Sequence, residues 1–305
     1  MDARRIARLG LVVHPRREIS AALDALQAWT ATHGAELVLA PAPGEERQVA
    51  PPGDPATCDL IVALGGDGTT LAALRTAAAV GKPVLGVACG SLGALTAVHA
   101  DEVGTALDRV AAGDWVPRHL PALMVESDGE EPQIGVNDLV VVREGAGQVT
   151  ASVHVDGELF IRFAGDGLVI GTQLGSSAYT LAAGGPVLAP GGSGLVFTPL
   201  APHGGCCPPL VTGPGSRLEI GLDPGFGGAR IELDGHVRDH VEPLVPRTLT
   251  VTLRPDHAVL VALGGEEAML AGLRRRRILM DSPRVLARDD REAAGTPAGP
   301  AQHVT

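Results

Sequence analysis

The sequence predicts an open α/β sheet in the first part of the chain and a β-rich fold in the remainder. Up to about residue 113, continuous apolar runs alternate with segments of helical spacing. From about Trp115, short alternating runs dominate, and Asp-Gly pairs typical of hairpins occur at 156–157 and 234–235. With 305 residues, of which 45% are hydrophobic and 19% charged, the chain is long enough for two globular domains.

The first part reads as strands alternating with helices. Apolar runs with few charges predict strands at Arg8–Val13, Leu37–Leu39, Leu60–Leu64 and Pro83–Val87. Apolar spacing from Ile19 to Trp29 predicts one helix, and an Ala/Leu-rich segment from Thr70 to Ala78 predicts another, ending before Gly81. This order is typical of a parallel sheet with right-handed crossovers, whose ligands bind at the carboxyl ends of strands.

The domain boundaries follow from the change in pattern. We expect residues 1–113, with a returning helix at about 264–280, to form the α/β domain. Residues 114–263 are expected to form the β-rich domain. The tail 281–305, rich in Pro, Ala, Gly and charged residues, is predicted to be disordered.

Charge and cysteine content exclude several classes of protein. A formal net charge of −11 argues against non-specific binding to nucleic acid or membranes, which are polyanions. The basic run Arg274–Arg277 is interpreted as a solvated helix end. The chain has no signal-peptide core and no apolar run of membrane-spanning length. Its four cysteines lack metal or redox spacing, so we expect free thiols and a cytoplasmic protein.

A glycine-rich turn follows the predicted strand at Leu60–Leu64. It reads Gly65-Gly66-Asp67-Gly68-Thr69, and its glycines let backbone N–H groups approach a phosphate closely. The positive end of the following helix favours an anion there. Asp67 is suited to hold Mg²⁺ or to accept a proton from an attacking hydroxyl. The alternative is an ordinary strand–turn–helix connection with a capping Asp.

Two further groups of polar residues are candidate ligand contacts. Asp166 lies in a glycine turn, and the hydroxyl-rich segment 172–180 that follows contains the only tyrosine of the chain, Tyr179. This segment would suit a sugar or base pocket, or it is a Ser/Thr-rich turn. Asn137 and Asp138 interrupt an apolar stretch and are either a turn or donors and acceptors for ribose hydroxyls and an adenine edge.

Taken together, these segments resemble the NAD kinase family from Val12 to about Leu279. The matching segments are His14-Pro15-Arg16, Gly65–Thr69, Pro83–Val87 with Gly90–Gly93, Asp166–Leu168, Ser177–Tyr179, Ala183–Pro186, Thr198-Pro199, Pro202-His203 and Asp234-Gly235. The glycine-rich loop is shared more distantly with lipid kinases and phosphofructokinases. The block from Asp166 to Pro186 is absent from the lipid kinases and distinguishes the family.

The resemblance implies a Rossmann-like N-terminal domain that binds nucleotide and phosphate. It also implies a β-sandwich-like C-terminal domain that binds NAD, with the site between the two. The implied reaction transfers phosphate from ATP (or polyphosphate) to the adenosine-ribose 2′-hydroxyl of NAD, with a divalent cation such as Mg²⁺, in a homodimer or homotetramer. By position, Asp67 is the catalytic residue and Gly65, Gly66, Gly68 and Thr69 bind phosphate. Asn137, Asp138, Asp166, Ser177, Ala178 and Tyr179 are the implied substrate contacts.

Several positions depart from the family pattern. The family usually has Asn-Glu at 137–138, and it has other residues at Ala88, Ala94, Leu174 and Pro208. These changes leave Asp67 and its glycines intact but alter the expected acceptor pocket. Two alternatives therefore accompany NAD phosphorylation: a relative that phosphorylates another nucleoside or sugar hydroxyl, and a nucleotide-binding regulator without catalysis.

Overall fold

The computed structural model describes residues 5–40, 47–264, 268–275 and 277–293. Its longer helices are α1 (Ser20–His33), α2 (Asp67–Ala78), α3 (Val103–Ala111), α5 (Ala268–Arg275) and α6 (Pro283–Ala293), with a single turn α4 at Tyr179–Ala182. The first strands are β1 (Arg8–Val13), β2 (Glu36–Leu39), β3 (Leu60–Gly65), β4 (Pro83–Ala88) and β5 (Val98–His99).

The remaining strands belong to the β-rich part. They are β6 (Val116–Ser127), β7 (Gln133–Gly135), β8 (Asp138–Arg143), β9 (Val149–Val155), β10 (Glu158–Gly165), β11 (Gly167–Gly171), β12 (Val196–Leu200), β13 (Leu210–Val211), β14 (Arg217–Asp223), β15 (Ala229–Leu233), β16 (His236–Val241) and β17 (Arg247–Ala262).

The first part of the chain forms the predicted α/β sheet. Strands β2, β1, β3 and β4 lie side by side and are all parallel. The side chains of β1, β3 and β4 are buried on both faces, as continuous apolar runs predict. Leu26 of α1 and Leu107 of α3 belong to the core on one face, whereas Leu74 of α2 belongs to the core on the other. The predicted strand bounds agree to within one residue.

The second part forms two packed sheets. Strands β10, β9, β14 and β17 continue the first sheet, and β17 joins its antiparallel strands to β4. Six other strands form a second sheet in the order β13-β12-β11-β8-β15-β16. Val153 and Ile220 from one sheet and Leu168 and Phe197 from the other share a single buried core. The predicted β-rich sandwich is therefore confirmed.

Both predicted Asp-Gly hairpin turns are present. Asp156 and Gly157 have φ of 52° and 88°, and Asp234 and Gly235 have φ of 52° and 74°. Positive φ at both central residues is the conformation of a two-residue type I′ turn. The turns connect β9 to β10 and β15 to β16.

Two helices differ from the sequence prediction. Helix α2 begins at Asp67 and not at Thr70, because Thr70 donates its N–H and its hydroxyl to the Gly66 carbonyl, at 2.9 and 3.1 Å. A helix also occupies Pro283–Ala293, which we predicted to be disordered. Pro283 stands at its first position, where a fixed φ and a missing N–H favour helix initiation. Residues 294–305 lie outside the described residues.

The returning C-terminal helix is present as α5, and Leu273 within it is fully buried. Residues 265–267 and 276 of the predicted 264–280 segment lie outside the described residues. Packing of α5 on the first domain, and the domain boundaries themselves, stay predictions. None of the helices in the described part of the chain is long and apolar enough to cross a lipid bilayer.

Candidate active site

The glycine-rich turn joins β3 directly to α2. Gly65 ends the strand and Gly66 precedes the first helical residue, Asp67. A Cβ on Gly65 would overlap the Thr69 side chain, so the turn requires the smallest residue here. The N–H groups of the first turn of α2 have no partner within the helix and carry its positive end. The turn therefore presents a helix terminus whose geometry suits an anion.

The loop after β4 holds the Asp67 carboxylate in place. Its Oδ2 accepts the Ala94 N–H at 3.0 Å, and its Oδ1 accepts the Leu95 N–H at 2.9 Å. Gly93 packs so closely that a Cβ there would overlap this carboxylate. Backbone hydrogen bonds to both oxygens fix the side chain in one orientation.

A cleft of 380 Å³ opens in front of this turn. It is lined by His14, Pro15, Arg17, Gly66, Asp67, Gly68, Thr69, Ala72, Arg75 and His236. His236 comes from the β15–β16 hairpin of the second part of the chain, so the cleft lies between the two parts. Two guanidinium groups and a helix terminus give it a positive lining, which suits a phosphorylated ligand.

Arg75, two turns along α2 from Asp67, is the most buried cation of the cleft. Its Nη2 lies 3.2 Å from Nε2 of His236, and its Nη1 lies 3.8 Å from Oδ2 of Asp234. Burial, followed by the positive charge of Arg75, lowers the pKa of His236, so the neutral ring accepts a hydrogen bond from the guanidinium. Nε and Nη1 of Arg75 are buried without a hydrogen-bond partner among the described residues. Arg75 thus keeps unused donors beside the cleft.

Asp234 shapes the segment that contains two predicted substrate contacts. Its buried carboxylate accepts the backbone N–H groups of Val136, Asn137 and Asp138, at 3.0, 2.7 and 3.3 Å. Oδ1 of Asn137 is buried without a hydrogen-bond partner within the described part of the chain. Burial, reinforced by the charge of Asp234, raises the pKa of Asp138 to about 7. The acceptor Oδ1 of Asn137 is therefore adjacent in the chain to the carboxyl of Asp138, which titrates near neutral pH.

The hydroxyl-rich segment folds against Asn137. The Thr172 N–H donates to the Asn137 carbonyl at 2.8 Å, and Gly175 abuts the same carbonyl so closely that no Cβ fits. A short 3₁₀ turn ends at Ser177. Ala178 is exposed, and the Tyr179 ring is 42% exposed, which leaves a face available for stacking. The structure therefore brings the turn at 172–175, which leads directly into Ser177–Tyr179, next to Asn137.

Asp166 lies apart from these residues. It precedes β11, whereas Asp138 pairs with Gly171 at the other end of the same strand, about 17 Å away at about 3.4 Å per residue. Its carboxylate binds Nε of Arg143 at 2.6 Å and is 40% exposed. The structure does not place Asp166 in the cleft that contains Asp67.

Three site residues were not recognised from the sequence: Arg75, Asp234 and His236. Asp234 was recognised as part of a hairpin turn and of a segment that resembles the family, but not as a site residue, since an Asp-Gly pair is a sufficient reason for that residue type. A charged residue within the apolar face of α2 was the available signal for Arg75, because arginine is rarely buried without a partner.

Comparison with known proteins places the chain in a family. Residues 9–115 match the family model of the ATP-NAD kinase N-terminal domain, and residues 136–263 match that of the C-terminal domain. The NAD kinase of Chlorobium phaeobacteroides is 31% identical over 288 residues, which cover 89% of this chain and 96% of that protein. The NAD kinase of Gemmatimonas aurantiaca is 36% identical over 215 residues, covering 68% and 73% of the two chains.

Solved structures have the same fold. Yeast NADH kinase complexed with NADH superposes with a TM-score of 0.76 at 20% identity, covering 92% of this chain and 89% of that one. An NAD kinase from Archaeoglobus fulgidus in complex with ATP gives 0.69 at 22% identity, covering 90% and 100%. Both family models match in the expected order along most of the chain, and we conclude that this protein belongs to the NAD kinase family.

Proposed function

We propose that this protein is an ATP-dependent NAD kinase, which transfers the γ-phosphoryl group of ATP to the 2′-hydroxyl of the adenosine ribose of NAD. The observation that carries the proposal is the fixed Asp67 carboxylate at a helix terminus, in a positively lined cleft between the two parts of the chain. Membership of the family and relatives that are named NAD kinase support the same reaction.

In the proposed reaction, Asp67 accepts the proton of the attacking 2′-hydroxyl. The ribose oxygen forms a bond to the γ-phosphorus while the bond to the β-phosphate oxygen breaks, and ADP leaves. A carboxylate that is already oriented by two backbone N–H groups needs no rearrangement to act as the base. General-base catalysis of this kind contributes about 10²–10⁴-fold to a rate.

The phosphates of ATP are proposed to lie at the start of α2. Backbone N–H groups of the glycine-rich turn, from Gly65 to Thr69, would donate to phosphate oxygens. The unpartnered Nε and Nη1 donors of Arg75 would stabilise the charge that develops on the transferred phosphoryl group. Arg17, which also lines the cleft, adds a second positive charge.

The adenosine of NAD is proposed to bind at Asn137, Asp138 and Ser177–Tyr179. The free Oδ1 of Asn137 and the carboxylate of Asp138 would accept hydrogen bonds from ribose hydroxyls. The exposed Tyr179 ring would stack on a base. Asp166 would contact a part of the dinucleotide remote from Asp67, or a dinucleotide bound to a second copy of the chain.

A divalent cation fits this site only together with ATP. Among the described residues no group of three or more acidic, His or Cys side chains forms a metal site, so Asp67 and the phosphates would be the ligands. Mg²⁺ is commonly bound in this way, by one or two carboxylates and substrate phosphates. When bound, the cation would neutralise part of the negative charge of the phosphates. We also propose a homo-oligomeric, cytoplasmic enzyme, for which light scattering and fractionation are direct tests.

The structure gives no support to a different acceptor. Ala88 and Leu174, two of the positions that depart from the family pattern, are buried in the core and do not line the cleft. Ala94 acts through its backbone N–H, which any residue other than proline supplies. The shortened carboxylate at Asp138 keeps the chemical group that a ribose hydroxyl needs.

The test is a comparison of wild-type protein with Asp67→Asn. Wild-type protein with ATP, Mg²⁺ and NAD should form NADP, and the variant should lose about 10²–10⁴-fold in kcat while binding ATP with similar affinity. Unchanged turnover by the variant would show that Asp67 is not the base. Turnover of other nucleosides or sugars without NADP formation would reject NAD as the acceptor.

A further inference from the structure

We propose a second ligand site, a cavity at the amino ends of the parallel strands, which binds a small organic anion with a flat apolar ring. The cavity has a volume of 440 Å³, within the range of about 300–1,000 Å³ that small-molecule sites occupy. Leu60 and Pro83, the first residues of β3 and β4, form part of its wall. Asp67 follows the opposite end of β3, so this site is separate from the active-site cleft.

The walls of the cavity are largely apolar. Ile6 precedes β1, Val110 belongs to α3, and Val259 and Pro117 belong to the paired strands β17 and β6. Trp115, in the connection between α3 and β6, is half-buried and contributes its indole to the lining. An indole face next to aliphatic side chains favours a flat ring, which stacks in an offset or edge-to-face arrangement.

The polar groups of the cavity favour an acidic ligand. Lys82, the only lysine of the chain, lines the cavity with Arg5. No ion pair or side-chain hydrogen bond of Lys82 occurs among the described residues. Asp59, the acidic member of the lining, already accepts the backbone N–H groups of Ala7 and Arg8 at 2.7 and 3.0 Å.

His119 completes the polar rim, and it lies 3.8 Å from Asp256 outside the lining. Among the described residues, neither the ammonium of Lys82 nor the guanidinium of Arg5 therefore has an ion-pair partner, although the whole chain is acidic. Two basic side chains around one apolar space match a carboxylate, sulfonate or monophosphate attached to a ring. The four charges of ATP would exceed what these side chains neutralise.

The test uses Trp115 as the reporter. The chain has two tryptophans, so Trp29→Phe leaves Trp115 as the only one. The probe is 1-anilinonaphthalene-8-sulfonate, which combines fused rings with a sulfonate and accepts energy from tryptophan. We expect saturable quenching of Trp115 with sensitised probe emission. Excess ATP should leave this signal in place, because ATP binds at the other end of the sheet.

Variants in the same background decide the role of Lys82. Lys82→Gln should weaken probe binding by about five-fold, the scale of one partly exposed charge pair, and Lys82→Arg should retain it. Arg284→Gln, which removes a cation from the exposed helix α6, is the matched control and should bind as the parent does. N-phenyl-1-naphthylamine, the same ring system without the sulfonate, should bind equally to all variants.

Three results would overturn the proposal. They are the absence of saturable quenching of Trp115, displacement of the probe by ATP, and equal probe affinity in Lys82→Gln and Arg284→Gln. Thermal melts followed by circular dichroism establish that each variant is folded, which is expected because Lys82 is only half-buried.

Discussion

Replacing Asp234 by Asn tests whether one buried carboxylate organises the acceptor side of the site. The Asp234 side chain is completely buried and accepts three backbone N–H groups of residues 136–138. Asn has one acceptor oxygen, and its NH₂ group would face an N–H donor. The substitution also removes the charge 3.8 Å from Nη1 of Arg75, which is itself buried.

The expected loss of stability is large. Each hydrogen bond to a charged group contributes about 1.5–3 kcal/mol, and removing one partner of a buried ion pair costs about 3–5 kcal/mol. Part of this is offset, because the charge of Asp234 raises the pKa of Asp138 and this repulsion disappears. We therefore expect a decrease of about 3 kcal/mol in the free energy of unfolding, taking the lower end of that range. For a chain of this size, the decrease corresponds to a fall in Tm of about 5 °C.

The chain contains a matched control in its other Asp-Gly turn. Asp156 has the same φ of 52° and is followed by glycine, so Asn substitution preserves both turns equally. Asp156 is exposed and accepts one N–H, from Arg217 at 2.8 Å. Asp156→Asn should therefore cost about 1 kcal/mol or less. Thermal and urea unfolding of both variants measure the difference, and equal Tm values would refute an organising role for Asp234.

Three other substitutions give separate expectations. The pKa of Asp138 is raised to about 7, so the folded state binds more protons than the unfolded state between pH 4 and 7, and stability falls as pH rises through this window. Asp138→Asn should remove this dependence. In Tm measurements from pH 5 to 8, the Tm of the variant relative to that of the wild-type protein should therefore increase with pH. Gly93→Ala should push the Asp67 carboxylate aside and lower kcat, while the affinity for ATP stays nearly unchanged. Gly104→Ala is the control and should leave kcat unchanged, because a Cβ at this position meets open space. Arg75→Met should lower kcat/KM by about ten-fold or more, since a charged donor to phosphate is lost. Arg75→Lys should recover part of this loss. Equal kcat/KM values for Arg75→Met and the wild-type protein would exclude contact between Arg75 and phosphate.

The sequence predicted the architecture well because its strongest signals are local. The apolar runs of β1 and β3 and the two Asp-Gly turns depend on a few neighbouring residues, and they recur in the structure almost unchanged. The start of α2 was placed three residues late, since a glycine-rich turn carries no helical periodicity. Asp67 was recognisable because its flanking glycines are informative by themselves.

The rest of the candidate site depends on contacts that are distant in sequence. Asp234 meets Asn137 across 97 residues, and no local pattern reports such a pairing. The burial of Leu174 in the same core as residues of α2 was equally invisible, since no neighbouring residue in the sequence indicates it. The separation of Asp166 from Asp138 becomes apparent only once β8 is paired with β11, which places Asp138 beside Gly171 while Asp166 precedes the other end of β11.

The long strand β17 has a consequence for how this protein is made. Its residues Val259 and Leu260 pair with Pro83 and Val84, so the sheet of the first half is completed by a strand that is synthesised much later than β4. Until then, the start of β4 lacks a partner on this edge, because β5 pairs only with Val87 and Ala88. Unpaired strand edges promote association with other chains. We therefore expect the isolated first half to aggregate, and the whole chain to fold slowly through contacts of high sequence separation.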